Sequence, residues 1–433
     1  MKRFIVIVTA VFVVVGLVSS VAPGQTKEKP AGKAYYKLKY RDPVLKEIEE
    51  VREADREAAD EVTSGIRSAQ EERDEREKEE KRILTFDFDG IKVPKSPEAF
   101  KPAFHFPPTP QYYTGTCWCF ATTSFLESEV FRLTGRKIKL SEMHTVYYEY
   151  LEKARRYVRE RGDSYVAEGS ETNAVPRIWK TYGAVPREAY EGVLAEDGRY
   201  DHEPMAEEIT VFLESVENQD LWDETYVLDG VRLILNRYMG EPPDKIQWEG
   251  RAYTPLEFLT AVLEIEPDDY VHVISTLKFP FYEKGEYEVP DNWWKSEDWY
   301  NLPLDVWYDV IQRAAKAGYT VAVGGDVSEP GYQGFEDAAI VPPFDIPEKN
   351  IDQDAREFRF YNRTSFDDHA LHLVGHTKTG GRDWFLIKDS ARSSRWGKYE
   401  GYYFYRQDYV RLKVLSYTIH KDMIQHLEDQ LQG

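Results

Sequence analysis

The chain has 433 residues, 42% hydrophobic and 14% aromatic, with a formal net charge of −21. That length and apolar content suit one large or two ordinary globular domains and exclude a disordered chain. The acidic balance excludes non-specific nucleic-acid binding, which needs a basic surface.

Lys2 and Arg3 precede an uncharged apolar run from Phe4 to Val18, and small residues follow. This is the layout of a secretory signal peptide, assigned here to residues 1–24. The run covers 15 residues, whereas a membrane span needs ~20. The expectation is an exported protein, periplasmic or extracellular, with no stable membrane insertion after cleavage. An uncleaved anchor is the alternative, and both Ser20-Val21-Ala22 and Gly24/Gln25 offer a cleavage point.

Residues 25–100 read as a charged helical extension and linker. From Arg41 to about Leu84 the composition is dense in Glu, Arg, Lys and Asp, and Val44, Ile48, Val51, Ala58, Val62 and Ala69 recur at helical spacing. A long, weakly amphipathic helix is predicted, serving as a solvated spacer, a prosegment over a cleft or an oligomerisation arm. Asp55 and Gly65 interrupt the stripe and weaken a coiled-coil reading. Pro94 to Pro110 then reads as extended chain.

The main domain is set at 101–427. A hydrophobic helix opens at Cys117 (CWCFATTSFLESEVFRLTG), with Gly135 where a left-handed cap belongs. Helical patterns follow, including Met143–Arg159 and Thr172–Tyr182, and a helical insert is placed at about 200–315. After residue 320 the pattern changes to short β-type runs, YTVAVGG, HALHLVGH, DWFLIKD and GYYFYR, separated by Gly and Asp. Helices first and strands later predict an α+β fold with two lobes. Residues 428–433 are left as a tail.

The two cysteines are Cys117 and Cys119. Disulfide frameworks carry more cysteines at wider spacing, and side chains two apart on a helix point to different sides, so no bridge is expected. Cys117 stands in the first turn of its helix, where unpaired backbone N–H groups favour the thiolate. Gln111, six residues upstream across Gly115, offers a side-chain N–H that joins the Cys117 backbone N–H as an oxyanion hole. The base must come from elsewhere in the chain. His369 opens a β-run, and alternation puts it on one face with Leu371 and Leu373, opposite His372 and His376. Asp389 closes a later strand and is placed to orient the imidazole. Cys119 reads as a core residue. A metal reading of Cys-x-Cys fails on spacing and ligand number, so no metal or other cofactor is expected.

Taken together, these segments resemble papain-type cysteine peptidases. QYYTGTCWCFAT resembles the family's Gln-to-Cys signature, Leu140-Ser141-Glu142 the next helix motif, DDHALHLVG the histidine strand and GYYFYRQDYV the last strand pair. TYGAVPREAY, YMGEPPD, TPLEF, DDYVHVI, LPLDVWYDVI and VAVGGDVSEPGY resemble the bleomycin hydrolase and aminopeptidase C branch. The likeness spans about residues 105–423. His369 lies 252 positions after Cys117, against the ~130–150 of papain itself.

The resemblance implies a two-lobed papain-like fold with the site between the lobes. It implies peptide hydrolysis by a Cys117 thiolate, with His369 as base and Gln111 in the oxyanion hole. Gly169 falls at the family's glycine-rich cleft wall, and Trp118 beside the nucleophile is the other candidate for substrate contact. Two departures stand out. Asp389 replaces the family's Asn, and Asp389-Ser390-Ala391-Arg392 lacks the Trp that normally covers that residue, leaving Trp396 as a replacement. The expected activity is an exported thiol peptidase acting on peptides, with aminopeptidase action and homo-oligomerisation implied by the branch. The alternative is a catalytically impaired papain-fold protein that binds a peptide or a partner.

Overall fold

The computed structural model describes residue 32, residues 34–192 and residues 197–431. The apolar leader at 4–18 lies outside these residues. Among the described residues no helix is long and apolar enough to cross a membrane.

The described chain divides into two compact units, ending and beginning at Arg82 and Ile83. The first contains α1 (Pro43–Glu80). Its N-cap Asp42 accepts a hydrogen bond from Val44 N–H at 2.8 Å, and Pro43 fills the first helical position. No residue of α1 is buried, as its charge-dense sequence requires. Gly65 lies within the helix without ending it.

The second unit begins earlier than the proline-rich linker suggested. Phe88 and Phe100 are buried against Val374, Trp384, Leu386 and Phe404. Widely spaced aromatics therefore anchor residues 83–100 to the domain, and the boundary falls at 82/83 rather than at 100.

In the helical lobe, α2 (Cys117–Thr134) is buried continuously from Trp118 to Val130. A helix apolar on most sides is stable only inside a core. It stops as expected at Gly135, whose φ of 73° is left-handed and whose N–H bonds Phe131 O at 2.8 Å. Around it pack α3 (Glu142–Arg159), capped by Ser141 Oγ accepting from His144 N–H, and α4 (Ala174–Tyr182). Beyond them come α5 (Glu203–Asn218), α6 (Glu224–Met239), a hairpin of β1 (Ile246–Trp248) and β2 (Arg251–Tyr253), and α7 (Pro255–Ala261). A reciprocal Thr254–Glu257 capping box opens α7.

The other lobe is built on a ten-stranded sheet. Its strands are β3 (Tyr270–Ile274), β4 (Lys284–Gly285), β5 (Trp299–Asn301), β6 (Val321–Gly325), β7 (Tyr332–Gln333), β8 (Ala338–Ala339), β9 (His369–Thr379), β10 (Arg382–Lys388), β11 (Tyr402–Arg406) and β12 (Val414–His420). In space they run β4-β5-β3-β12-β6-β9-β10-β11-β8-β7. Thus β3, β4 and β5 fall inside the stretch expected to be a helical insert. The run YVHVI pairs with β12 as an integral strand, because a short apolar run does not distinguish a buried strand from a helix turn.

Strand β9 is central. His369 stands opposite Gly325 of β6, and His372 opposite Lys388 of β10. Leu371, Leu373, Phe385 and Ile387 face a core with Trp307, Val310 and Ile311 from α8 (Leu304–Ala317). Ser124 of α2 meets His372 Nδ1 at 2.8 Å, which fastens the helix to the sheet. The chain continues through α9 (Gln353–Tyr361), α10 (Gln407–Lys413) and a last short helix, α11 (Glu428–Leu431). Leu427 is buried in the sheet-side core and Leu431 packs against it.

Candidate active site

Cys117 is the first residue of α2 and is partly exposed. Its N-cap, Thr116, makes no capping bond; the hydroxyl engages Thr114 Oγ1 at 2.6 Å instead. Among the described residues the Cys117 N–H has no partner, as expected for the first turn of a helix. Cys119, two residues on, is fully buried and its Sγ donates to Glu142 O at 3.2 Å. Burial pushes the Cys119 thiol well up, so the two cysteines occupy opposite chemical environments.

The turn before Cys117 is tightly specified. Gly115 N–H donates to Glu168 Oε2 at 2.7 Å, and a Cβ on Gly115 would approach the Glu168 Cβ to 2.8 Å. Tyr112 adopts φ 52°, a left-handed conformation costly for a bulky residue. Gln111 is held at both ends of its amide. Its Oε1 accepts from Ser390 Oγ at 2.6 Å, and its Nε2 donates to Thr114 O at 2.7 Å. An amide nitrogen carries two protons, so one Gln111 donor is left over.

His369 is buried at the start of β9, and its Nε2 meets Asp389 Oδ1 at 2.7 Å. The opposite ring nitrogen is thereby left clear of Asp389, and the Cys117 sulfur lies within electrostatic reach of the imidazole. Burial by itself would depress the imidazole. The Asp389 charge and the Cys117 sulfur outweigh it and hold His369 well above its ordinary value.

Asp389 accepts three hydrogen bonds. Oδ1 accepts from His369 and from Ala391 N–H at 2.9 Å, and Oδ2 accepts from Tyr332 OH at 3.2 Å. Burial raises its carboxyl, but the His369 charge and these hydrogen bonds bring it below the usual carboxylate value. Tyr332 was not singled out by the sequence. It opens the short edge strand β7 and stacks on Tyr403 with ring centroids 4.3 Å apart, while Tyr405 lies 6.1 Å away. Half-buried Tyr332 with buried Tyr403 and Tyr405 supplies the cover expected of the missing tryptophan. Trp396 does not; it is 48% exposed and stacks on Phe335. Its flanking residues form a loop pinned to Asp337 through the Lys398 and Tyr399 N–H groups.

The two residues expected at the substrate differ in position. Gly169 belongs to the wall at 168–171, and its carbonyl accepts from Lys153 Nζ. Trp118 is only 1% exposed and its indole N–H donates to Glu168 O at 3.1 Å. Alternate sides of the helix explain this, because a residue next to Cys117 in sequence points into the core. Trp118 therefore supports the wall from behind and is not available as a substrate contact. His372 and His376 lie away from the pair: His372 is buried against Ser124, and His376 Nε2 meets Asp383 Oδ1 at 2.7 Å.

No family model matches the sequence. Among solved structures, PepW from Lactobacillus rhamnosis HN001 (DR20) matches with a TM-score of 0.60 and 17% identity, over 77% of this chain and 86% of that one. The fold is papain-like. Its helical lobe presents Cys117 and its sheet lobe presents His369 and Asp389, the two-lobed α+β arrangement expected from the order of the elements. A structure comparing the mite allergens Blo t 1 and Der p 1 aligns with a TM-score of 0.39 and 14% identity, over 78% of this chain and 71% of that one; this alignment carries no weight in the assignment.

Proposed function

We propose that the protein is a thiol peptidase that cleaves peptide bonds through Cys117 and His369. The observation that carries this reading is the Cys117–His369–Asp389 group, with Asp389 on Nε2 of His369 at 2.7 Å and the Cys117 sulfur within electrostatic reach of the same imidazole. In the first step the Cys117 sulfur attacks the peptide carbonyl carbon, and the carbonyl oxygen takes up negative charge. The Cys117 N–H and the free Gln111 amide proton stabilise that oxygen. His369 gives its proton to the leaving amine, the C–N bond breaks, and a thioester remains. A water molecule then loses a proton to His369, adds to the thioester and releases the acid with Cys117 restored.

The full bonding of Asp389 supports catalysis over a decayed, merely peptide-binding site. An unneeded carboxylate would not require three donors and a depressed pKa in a buried position. An ionised Asp also favours the imidazolium that donates the leaving-group proton. Lys2, Arg3 and the apolar run 4–18 support placing this activity outside the cytoplasm.

The test is hydrolysis of fluorogenic peptides, N-blocked and with a free amine, under reducing conditions from about pH 4 to 9. Turnover by the wild type that disappears in Cys117→Ala supports the peptidase. Absence of turnover at every pH would return the protein to the binding class. Preference for the free-amine series would identify an aminopeptidase.

A further inference from the structure

Beside the catalytic pair stands a second group of carboxylates that hydrolysis does not use. Glu171 follows the Gly169 wall, Asp367 precedes His369 by two residues, and Asp291 comes from the stretch before β5. Glu171 is 4% exposed, yet among the described residues no hydrogen-bond donor or cation engages its carboxylate. Its electrostatic neighbours are Asp367, Asp291 and the Cys117 sulfur, so this buried carboxylate lies within electrostatic reach of the nucleophile.

Asp367 shares that space. Its Oδ2 accepts from Tyr287 OH at 2.8 Å and Ser416 Oγ at 3.3 Å. Among the described residues, Oδ1 receives no hydrogen bond. Two glycines make room for the acids. A Cβ on Gly324 would approach the Asp367 oxygens to 2.9 and 3.1 Å, and one on Gly169 would approach both Asp291 oxygens to 2.4 Å. The nearby cations spend their hydrogen bonds elsewhere, while Lys153 remains within electrostatic reach of Asp291 and Arg356 of Asp367. Lys153 Nζ donates to the Ala167 and Gly169 carbonyls. The Arg356 guanidinium donates to the carbonyls of Ser275, Arg411, Val414 and Leu415.

A buried carboxylate without a partner is disfavoured as an anion; it either takes up a proton or accepts a counter-charge from outside the chain. Burial, reinforced by the neighbouring acids, pushes Glu171 well above the usual carboxylate range. Burial likewise raises Asp367, to about 7. An arriving cation would reverse both shifts.

We propose that Glu171 and Asp367, with Asp291 at the rim, form a pocket beside Cys117 that receives a cationic nitrogen of the peptide substrate. That nitrogen belongs to a lysine or arginine side chain flanking the scissile bond, or to a free α-amino group. The inference rests on the peptidase reading for its substrate.

Matched fluorogenic peptides test it: N-acetylated peptides with arginine or its neutral isostere citrulline at each of the two residues before the scissile bond, and the free-amine citrulline counterparts. The wild-type kcat/KM is expected to favour a cationic member by about 10- to 100-fold. Preference for arginine identifies a side-chain site, and preference for the free amine identifies an α-ammonium site. Glu171→Gln and Asp367→Asn, with melting curves as folding controls, should each bring that ratio towards one. No cationic preference in the wild type, or a preference that both variants keep, overturns the proposal. If no peptide is cleaved, the peptidase reading fails and the pocket is read by calorimetry on the full chain. Tighter binding of N-acetylarginine amide than of N-acetylcitrulline amide, lost in Glu171→Gln, supports the pocket; equal binding overturns it.

Discussion

Asp389 and Glu171 are both buried carboxylates beside the same Cys117–His369 pair, and their surroundings are opposite. Asp389 receives His369, the Ala391 N–H and the Tyr332 hydroxyl, and its carboxyl is pulled below the ordinary range. Glu171 receives nothing from the described chain, and its carboxyl is pushed far up. Burial acts on both in the same sense; the difference lies in the donors each acid is given. A saturated acid is a fixed part of the machinery, whereas an unsaturated one is a vacancy for a charge.

Removing the group the two acids share should have the largest effect. Cys117→Ala is expected to abolish peptide turnover, a loss of at least ~10³-fold in kcat. Asp389→Ala should follow, with a loss of about 10²- to 10⁴-fold, because the imidazole loses both its orientation and its counter-charge. Asp389→Asn sharpens the point through pH. Asn can still accept from Nε2 but carries no charge, so the His369 pKa falls, the ion pair deprotonates earlier, and the alkaline limb of kcat/KM moves to lower pH. An unchanged alkaline limb would mean that the Asp389 charge does not set the state of His369.

Gln111→Ala should cost about 10²- to 10³-fold in kcat, the loss typical of one oxyanion-hole donor, with a smaller effect on KM. Tyr332→Phe removes one of the three donors to Asp389 and should lower kcat by about 3- to 10-fold. Trp396→Ala is expected to change kcat/KM by less than about 2-fold, since an exposed ring away from the triad has little to contribute. An effect of Trp396→Ala larger than that of Tyr332→Phe would reverse the assignment of the cover over Asp389.

The proposed Cys117–His369–Asp389 constellation was legible because each member sits at a local landmark: Cys117 at a helix start, His369 at a strand start and Asp389 at a strand end. Landmarks of this kind follow from short-range patterning. Tyr332, Glu171 and Asp291 were not legible, because Tyr332 sits in a two-residue edge strand and the two acids in loops, and segments so short carry no periodicity to follow. The burial of Trp118 follows from helix geometry, which turns the neighbour of an exposed residue inward. Strands β3–β5 were missed because tertiary pairing with β12 decides their state. The long helix Pro43–Glu80 was readable from charge and spacing alone.

The most direct test of the Cys117–His369 pair is alkylation by iodoacetamide near pH 6, followed by mass spectrometry. Cys119 is buried with its thiol pKa pushed up, so it serves as an internal control. The account predicts a single adduct on Cys117, formed at least ~100-fold more slowly in His369→Ala. Labelling that ignores His369, or that marks Cys119 as readily as Cys117, would contradict it.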